Sequence, residues 1–482
     1  MSKPSLKSQA TRGMFWSAID KFAIRAVNFI IGIVLARMLL PEDYGIIGML
    51  AIFIAISQTF IDSGLGSGLI QKKDRSDVDF STVFVFNFFA STFFYVILYS
   101  IAPLIADFYK IPQLIPITRV LSLNIVINSL AIVQRSKLTI NLDFKTLAKV
   151  NVIAVVVSGI GAVILAFLGW GVWALVSQIL IRAIISVIAI WFFSKWKPSI
   201  KFSKKSFNAL FGYGSKLLIA GIYAQTLNNI YNIAIGKAYC TGELGFYTRA
   251  KSFAELTSGT VTSILQQVTF PILASIQEER KRMISAYSRL IKMTAFFIFP
   301  TMTLLALLAD PFVRILLGEN WIPVIALLQW TSFARIVFPI SALNMNILKA
   351  VGRSDLFLKV DLSKLPITIL TMVITIPMGV KAIVIGHVIT ASISFFINAY
   401  MPGKLFGYGA LSQLKDMIPV FIATTMMALI VFIINYYVDN SLFKLLFGGI
   451  SGIVTYASMA YLLKIEEINE VKIIWNKLSK SL

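Results

Sequence analysis

The chain has 482 residues, of which 57% are hydrophobic and 14% are charged, and its mean hydropathy is +0.82. Soluble globular proteins carry about 25% charged residues, so this composition excludes an ordinary soluble fold. The 44 basic residues outnumber the 22 acidic ones and give a formal net charge of +22, but no basic domain lies outside the apolar runs, so we expect no nucleic-acid partner.

Apolar runs of about 20 residues, each long enough for a membrane-spanning helix, follow one another along the whole chain. Prolines and glycines separate them, as in LLPEDYG (39–45) and KIPQLIP (110–116), and these residues end or begin helices. We therefore predict an all-α polytopic membrane protein with about fourteen transmembrane helices. The predicted spans lie at 14–38, 43–65, 80–107, 116–138, 148–168, 171–193, 209–238, 244–270, 286–309, 321–348, 355–377, 380–401, 416–437 and 442–463.

The distribution of basic residues supports this arrangement, because cytoplasmic loops of membrane proteins are rich in Lys and Arg. With a cytoplasmic N-terminus, six of the 44 basic residues fall in outer loops, eight lie within spans, and the rest lie in inner segments. The six outer residues are Arg37, Lys110, Lys237, Arg314, Lys381 and Lys444. A missed span would place every later loop on the opposite side of the membrane and would remove this bias. The distribution of basic residues therefore favours fourteen spans with both termini in the cytoplasm.

The sequence repeats itself weakly at an offset of about 200 residues. RAVNFIIGIVLAR (25–37) aligns with QTLNNIYNIAIGK (225–237), and PEDYG (41–45) aligns with TGELG (241–245). Six spans return the chain to its starting side, so we predict two parallel six-helix repeats, an arrangement that builds transporters with a central cavity between the halves. The predicted regions are an N-lobe at 1–205, a C-lobe at 206–403, and two added helices with a cytoplasmic tail at 404–482.

The first span carries Asp20, Lys21 and Arg25 within an apolar sequence. A charge at the bilayer centre costs about 2.5–3.5 kcal/mol even on the lenient insertion scale, so such residues face the protein interior or a watery cavity. If the span begins near residue 14, Arg25 lies about 16 Å inside, close to the midplane of a core about 30 Å thick. Lys21, Arg25 and Asn28 share one helix face.

Basic residues outnumber acidic ones within the spans, which favours an anionic substrate. The candidate substrate-binding residues are Lys21, Arg25, Asn28, Lys216, Gln225, Asn228, Arg249 and Lys251, and the candidate ion-coupling carboxylates are Asp20 and Glu255. The simpler alternative is that these residues join helices or extend to the membrane surface. For Asp20 this alternative is a salt bridge to Lys216 or to a cation of the eighth span. Structural and functional roles stay open for Arg119, Arg182 and Arg335.

The sequence lacks the usual motifs of enzymes and cofactor-binding proteins. It has no P-loop, and the glycines at 64–68 do not follow a strand, so they are not a dinucleotide fingerprint. One histidine and one cysteine exclude the usual zinc sites, and no pattern suggests a nucleophile beside a base. We therefore expect no enzyme activity, no catalytic residue, no cofactor and no metal, and we expect His387 to be a packed helix residue.

Three stretches resemble bacterial polysaccharide exporters: VLARMLLPEDYGIIGM (34–49), FIDSGLGSGLIQKKD (60–74) and ELGFYTRAKSFAEL (243–256). The resemblance is to Wzx-type flippases, in particular the colanic-acid and teichuronic-acid exporter branch of the multidrug/oligosaccharidyl-lipid/polysaccharide exporter superfamily. It covers essentially the whole chain. It implies a multi-pass protein of the bacterial inner membrane that moves a polyprenyl-pyrophosphate-linked oligosaccharide from the cytoplasmic to the outer leaflet, with a proton or sodium gradient as the candidate driving force.

The resemblance also implies partners: a lipid-linked anionic oligosaccharide, membrane lipid, H⁺ or Na⁺, and a polysaccharide polymerase or assembly complex. Three alternatives stay open at this point. The first is a lipid II flippase for peptidoglycan or another exporter of the same superfamily. The second is a membrane glycosyltransferase, polymerase or ligase of the same pathway, although the predicted outer loops are too short for a catalytic domain. The third is a structural scaffold for the assembly complex.

Overall fold

The computed structural model describes residues 6–62, 65–72, 74–194, 196–199, 201–276 and 278–469. Every regular element within these ranges is a helix, which confirms the all-α prediction. The chain divides into two compact units, the first ending at Gly245 and the second beginning at Phe246. The lobe boundary at 205/206 that the repeat predicts is a different division and stays a prediction.

The first unit contains ten complete helices and the beginning of an eleventh within the described residues. They are α1 (Leu6–Met38), α2 (Pro41–Asp62), α3 (Leu65–Gln71), α4 (Asp77–Tyr109), α5 (Leu114–Leu121), α6 (Leu123–Ser129), α7 (Ile132–Ile140), α8 (Phe144–Phe167), α9 (Val172–Phe193), α10 (Lys204–Ala238) and α11 (Thr241–Ser275). In this unit α1 packs against α8, α8 packs against α9, and α10 packs against α2, α3 and α4.

The second unit contains the rest of α11 and nine further α-helices among the described residues. They are α12 (Arg280–Leu307), α13 (Ala309–Leu316), α14 (Val324–Ile336), α15 (Phe338–Ala350), α16 (Ser354–Ser363), α17 (Leu365–Thr375), α18 (Val380–Phe406), α19 (Ala410–Tyr437) and α20 (Ser441–Leu462), with 3₁₀ turns at Glu319–Trp321 and Ile376–Met378.

Ten segments in the described residues are long and apolar enough to cross a membrane by length and composition. They are Pro41–Phe60, Asp77–Tyr109, Leu114–Ile140, Phe144–Phe167, Val172–Phe193, Arg280–Leu307, Val324–Ala350, Val380–Phe406, Ala410–Tyr437 and Ser441–Leu462. The chain is therefore a multi-pass membrane protein. The other four predicted spans fall on α1, α10, α11 and α16–α17. In these helices, charged or polar residues or a helix break shorten the apolar run. The count of fourteen spans and the six-helix repeats therefore stay predictions.

Polar contacts lie within and between three segments of the first unit that were all predicted on the cytoplasmic side. Before α4, Lys72 Nζ donates to the carboxylate of Asp79 at 2.7 Å. At the start of α4, Thr82 Oγ1 accepts from the backbone N–H of Ser203 at 3.0 Å. Lys137 Nζ, at the end of α7, lies 5.4 Å from the centre of the Trp196 ring. These basic segments thus lie at one end of the unit, as the charge pattern predicts.

At the opposite end of these helices, α2 and α11 begin in close backbone contact. A Cβ atom added at Gly45 would lie 1.9 Å from the carbonyl oxygen of Thr241, and one added at Gly245 would lie 1.8 Å from that of Pro41. The two contacts are reciprocal and are related by the offset of 200 residues that the sequence repeat shows. Only glycine permits helices to approach this closely.

In the second unit, the last two helices are held to α12 by buried polar groups. The Tyr287 hydroxyl of α12 donates to Asn344 Oδ1 of α15, and Gln413 Nε2 of α19 donates to the same oxygen at 3.0 Å. The Tyr456 hydroxyl of α20 donates to the backbone carbonyl of Phe296 at 2.7 Å. Because each buried polar group would be costly without its partner, α19 and α20 are integral to this unit.

Gly45→Ala is expected to destabilise the protein because the new methyl group forces the ends of α2 and α11 apart. Inserting atoms into a tightly packed contact costs about 1–3 kcal/mol. The measurement is the melting temperature of the purified protein in detergent, compared with Gly449→Ala on α20, where an added Cβ meets no atom within 4 Å. Equal melting temperatures for the two variants would contradict the close contact.

Candidate functional site

The helix α1 packs against α8, and Asp20 contacts that helix. The Asp20 carboxylate accepts hydrogen bonds from Asn151 Nδ2 of α8 at 3.1 and 3.4 Å. Arg182 of α9 and the neighbouring Lys21 lie within electrostatic range of the same carboxylate. The sequence predicted a partner on another helix but did not identify this amide. The alternative pairing with Lys216 falls on a side chain that lies outside the described residues.

Arg25 is half-buried, and its Nη1 atom is buried without a hydrogen-bond partner among the described residues. The helix α1 begins at Leu6 rather than near residue 14, and Arg25 lies about 20 Å along its axis from the end at Met38. The depth of Arg25 in the membrane stays a prediction. Asn28 is half-buried on the same helix face.

The polar side chains of α10 between residues 225 and 232 lie partly in the interior of the first unit and partly on its surface. Asn229 and Asn232 are buried, and Asn229 Nδ2 donates to the Gln225 carbonyl at 2.9 Å. Asn228 is exposed. Gln225 lines a mainly apolar cavity of about 430 Å³ between α2, α5, α9 and α10. Gln58 of α2, which the sequence did not single out, also lines this cavity, and its Oε1 is buried without a hydrogen-bond partner among the described residues.

The second unit holds a separate charged cluster on α11, α14 and α18. Arg335 Nη2 donates to Glu255 Oε1, and Lys251, one turn before Glu255, lies within electrostatic range of both groups. His387 of α18 lies within electrostatic range of Arg335 and Lys251. Arg249 is directed over the Phe253 ring, 5.3 Å from its centre. The structure thus brings the predicted residues Lys251 and Glu255 together and adds Arg335 and His387.

Arg119 and Arg182 have surroundings unlike those of Arg335. The Arg119 guanidinium lies 4.3 Å from the centre of the Tyr99 ring and donates to the Tyr99 carbonyl at 3.4 Å, so it is satisfied by α4. Arg182 is exposed and lies within electrostatic range of Asp20 and Arg135. Of the three arginines that the sequence left open, Arg335 is the one that forms an ion pair with a predicted site residue.

The chemistry of both clusters favours binding of an anion. Fixed cations in a medium of low dielectric attract negative charge far more strongly than they do in water. Within the described ranges, no group of three or more His, Cys, Asp or Glu residues is placed to hold a metal ion.

Comparisons with known proteins identify relatives of similar length. The chain is 24% identical over 433 residues to the teichuronic acid biosynthesis protein TuaB of Bacillus subtilis (strain 168), covering 89% of each chain. It is 24% identical over 400 residues to the lipopolysaccharide biosynthesis protein WzxC of Escherichia coli (strain K12), covering 82% of this chain and 81% of that protein.

Among solved structures, the chain shares its fold with the lipid II flippase MurJ in an inward closed conformation. The TM-score is 0.75 at 18% identity, and the match covers 94% of this chain and 100% of that one. The model of a family described as "Polysaccharide biosynthesis protein" matches residues 34–326, which confirms the resemblance found in the sequence. Because this match covers more than half of the chain, the protein belongs to the polysaccharide biosynthesis protein family.

Proposed function

We propose that this multi-pass membrane protein is a transporter that flips a polyprenyl-pyrophosphate-linked oligosaccharide from the cytoplasmic to the outer leaflet of the bacterial inner membrane by alternating access. The observation that carries the proposal is Arg25, a guanidinium in a predicted membrane span, whose Nη1 is buried and lacks a hydrogen-bond partner among the described residues. Such a group requires an anion or water. The pyrophosphate or an acidic sugar supplies that anion.

The names of the relatives support this class of substrate. TuaB is named for teichuronic acid biosynthesis and WzxC for lipopolysaccharide biosynthesis, and MurJ, which has the same fold, is a lipid II flippase. All three concern bacterial surface polymers or their lipid-linked precursors. The proposed substrate-binding residues are Lys21, Arg25, Asn28, Lys216, Gln225, Asn228, Arg249 and Lys251.

Of the two candidate coupling carboxylates, Asp20 suits the binding of H⁺ or Na⁺ better than Glu255. Its hydrogen-bond partner is the neutral amide of Asn151, so neutralising the carboxylate does not leave a bonded cation unpaired. Glu255 is bonded to Arg335, and neutralising it would leave a nearly buried guanidinium without its anion, which is strongly unfavourable. We therefore assign ion coupling to Asp20.

A lipid II flippase is the second candidate, favoured by the fold shared with MurJ. Its substrate also contains a pyrophosphate, so the basic groups suit either lipid. The two substrates differ in their sugars, and a transport assay in liposomes can compare them directly. A polymerase or assembly complex is the proposed partner that would receive the flipped oligosaccharide. A role as an enzyme is not proposed.

Purified protein reconstituted into liposomes is expected to move a fluorescent polyprenyl-pyrophosphate oligosaccharide between leaflets faster than protein-free liposomes do. The measurement is the loss of fluorescence when a membrane-impermeant quencher is added outside. Lipid II in parallel liposomes tests the second candidate. Translocation of neither lipid above the rate in empty liposomes would contradict the proposed function.

Arg25→Gln is expected to reduce translocation on the order of 10- to 100-fold, because a charge-assisted hydrogen bond contributes about 1.5–3 kcal/mol. The amount of protein in the membrane should be unchanged. The matched control is Arg119→Gln, since Arg119 is satisfied by the carbonyl and ring of Tyr99. If Arg25→Gln transports as well as the wild-type protein while Arg119→Gln is impaired, Arg25 is not part of the site.

Reporter enzymes inserted into the loop at 196–199 are expected to be active in the cytoplasm, because this loop contacts the basic segments at the cytoplasmic end of the first unit. A reporter inserted near Gly318, beside the predicted outer residue Arg314, should be active only outside the cytoplasm. The same location for both reporters would contradict the proposed topology.

A further inference from the structure

The ion pair between Arg335 and Glu255 is unequal in exposure. The side chain of Arg335 is 12% exposed, whereas that of Glu255 is 42% exposed. A nearly buried guanidinium needs an anion, because water does not reach it freely. The carboxylate is accessible and can turn toward open space without losing all of its hydration. The cation is therefore the fixed member of the pair, and the anion is the replaceable one.

The contact with Glu255 also leaves a hydrogen-bond donor of the guanidinium without a partner among the described residues. Arg335 donates to Glu255 through Nη2, while its Nε is buried without a hydrogen-bond partner among the described residues. Nε and Nη2 form one edge of the guanidinium and can donate in parallel to two oxygens of a phosphate group. A phosphate would thus satisfy both atoms, whereas the carboxylate in its present position satisfies one.

The charges around this pair are unbalanced in favour of a ligand with more than one negative charge. Lys251, one turn before Glu255, lies within electrostatic range of Arg335 and Glu255. Glu255 is the only acidic residue in the sequence from 246 to 275, and the sequences of α14 and α18 contain none. A pyrophosphate carries enough charge to pair with both cations.

We propose that Arg335 and Lys251 form a pyrophosphate-binding site in the second unit, and that Glu255 occupies this site as an internal counter-anion until the ligand displaces it. The identity of the ligand as a pyrophosphate rests on the proposed function. Glu255 then acts on specificity: a ligand with a single weak negative charge does not displace it, whereas a pyrophosphate does. Release of the ligand returns Glu255 to Arg335, so the guanidinium always has an anion.

The test is the affinity of the full-length protein, in lipid nanodiscs, for inorganic pyrophosphate, measured by titration calorimetry. Glu255→Gln removes the competing carboxylate and is expected to increase the affinity by about tenfold. Adding Arg335→Gln to that variant should abolish the gain, and the double variant avoids leaving an unpaired charge. Glu319→Gln is the matched control, because Glu319 accepts from Arg314 at 3.2 Å in a similar pair on α13 and the following turn.

Polyprenyl pyrophosphate in the nanodisc lipid and inorganic phosphate in solution are the other two ligands. Both pyrophosphates are expected to compete for one site, and inorganic phosphate is expected to bind at least about tenfold more weakly. Equal affinity of wild type and Glu255→Gln would overturn the proposal, and so would a double variant that binds as tightly as Glu255→Gln alone. The liposome assay tests the proposed function separately from this site. If the affinities are as expected but no lipid is translocated, the flippase function is wrong. If lipid is translocated but the variants bind pyrophosphate as the wild type does, this site is wrong.

Discussion

The cost of placing a charge in hydrocarbon governs the arrangement of this protein. A guanidinium or carboxylate within a membrane span needs a partner, water or a ligand, because lipid chains offer none. Asp20 meets this requirement through Asn151, and Arg335 meets it through Glu255. Arg25 retains a buried nitrogen without a partner among the described residues. The helices that carry Asp20, Arg25 and Glu255 are also among those that fall short of the apolar character of the ten clear spans.

The first unit has close backbone contacts at one end of its helices. The reciprocal approach of Gly45 to Thr241 and of Gly245 to Pro41 brings backbone atoms together where side chains would otherwise separate the helices. Small residues at such crossings allow van der Waals packing and weak hydrogen bonds to replace the hydrophobic effect, which does not drive association inside a membrane. At the other end, the charged side chain of Lys72 and the hydroxyl of Thr82 make the contacts. Close backbone packing thus joins the helices at one end of the first unit, and charged or polar side chains join them at the other.

Much of the fold can be predicted from the sequence, because the length of each apolar run and the turn residues at its ends determine where a helix lies. The positions of the apolar helices and the candidate residues on α1 and α11 could be derived in this way. The start of α1 at Leu6 could not, since polar residues at its N-terminal end extend the helix beyond the apolar run. The contacts of Asp20 with Asn151 and of Glu255 with Arg335 join residues 131 and 80 positions apart. Periodicity fixes which residues share a helix face, but it does not specify which faces meet.

The two charged clusters differ in a way that the repeat alone would not suggest. In the first unit an acid is bonded to a neutral amide, whereas in the second an acid is bonded to a nearly buried arginine. Neutralising the first acid leaves its bonded partner uncharged, while neutralising the second leaves a cation in a medium of low dielectric. The proposed transporter would use both kinds of group: one that binds and releases a small cation at low energetic cost, and one that keeps an anion site satisfied while it is empty. The predicted repeat would allow these tasks to be divided, because each copy can change its partners independently.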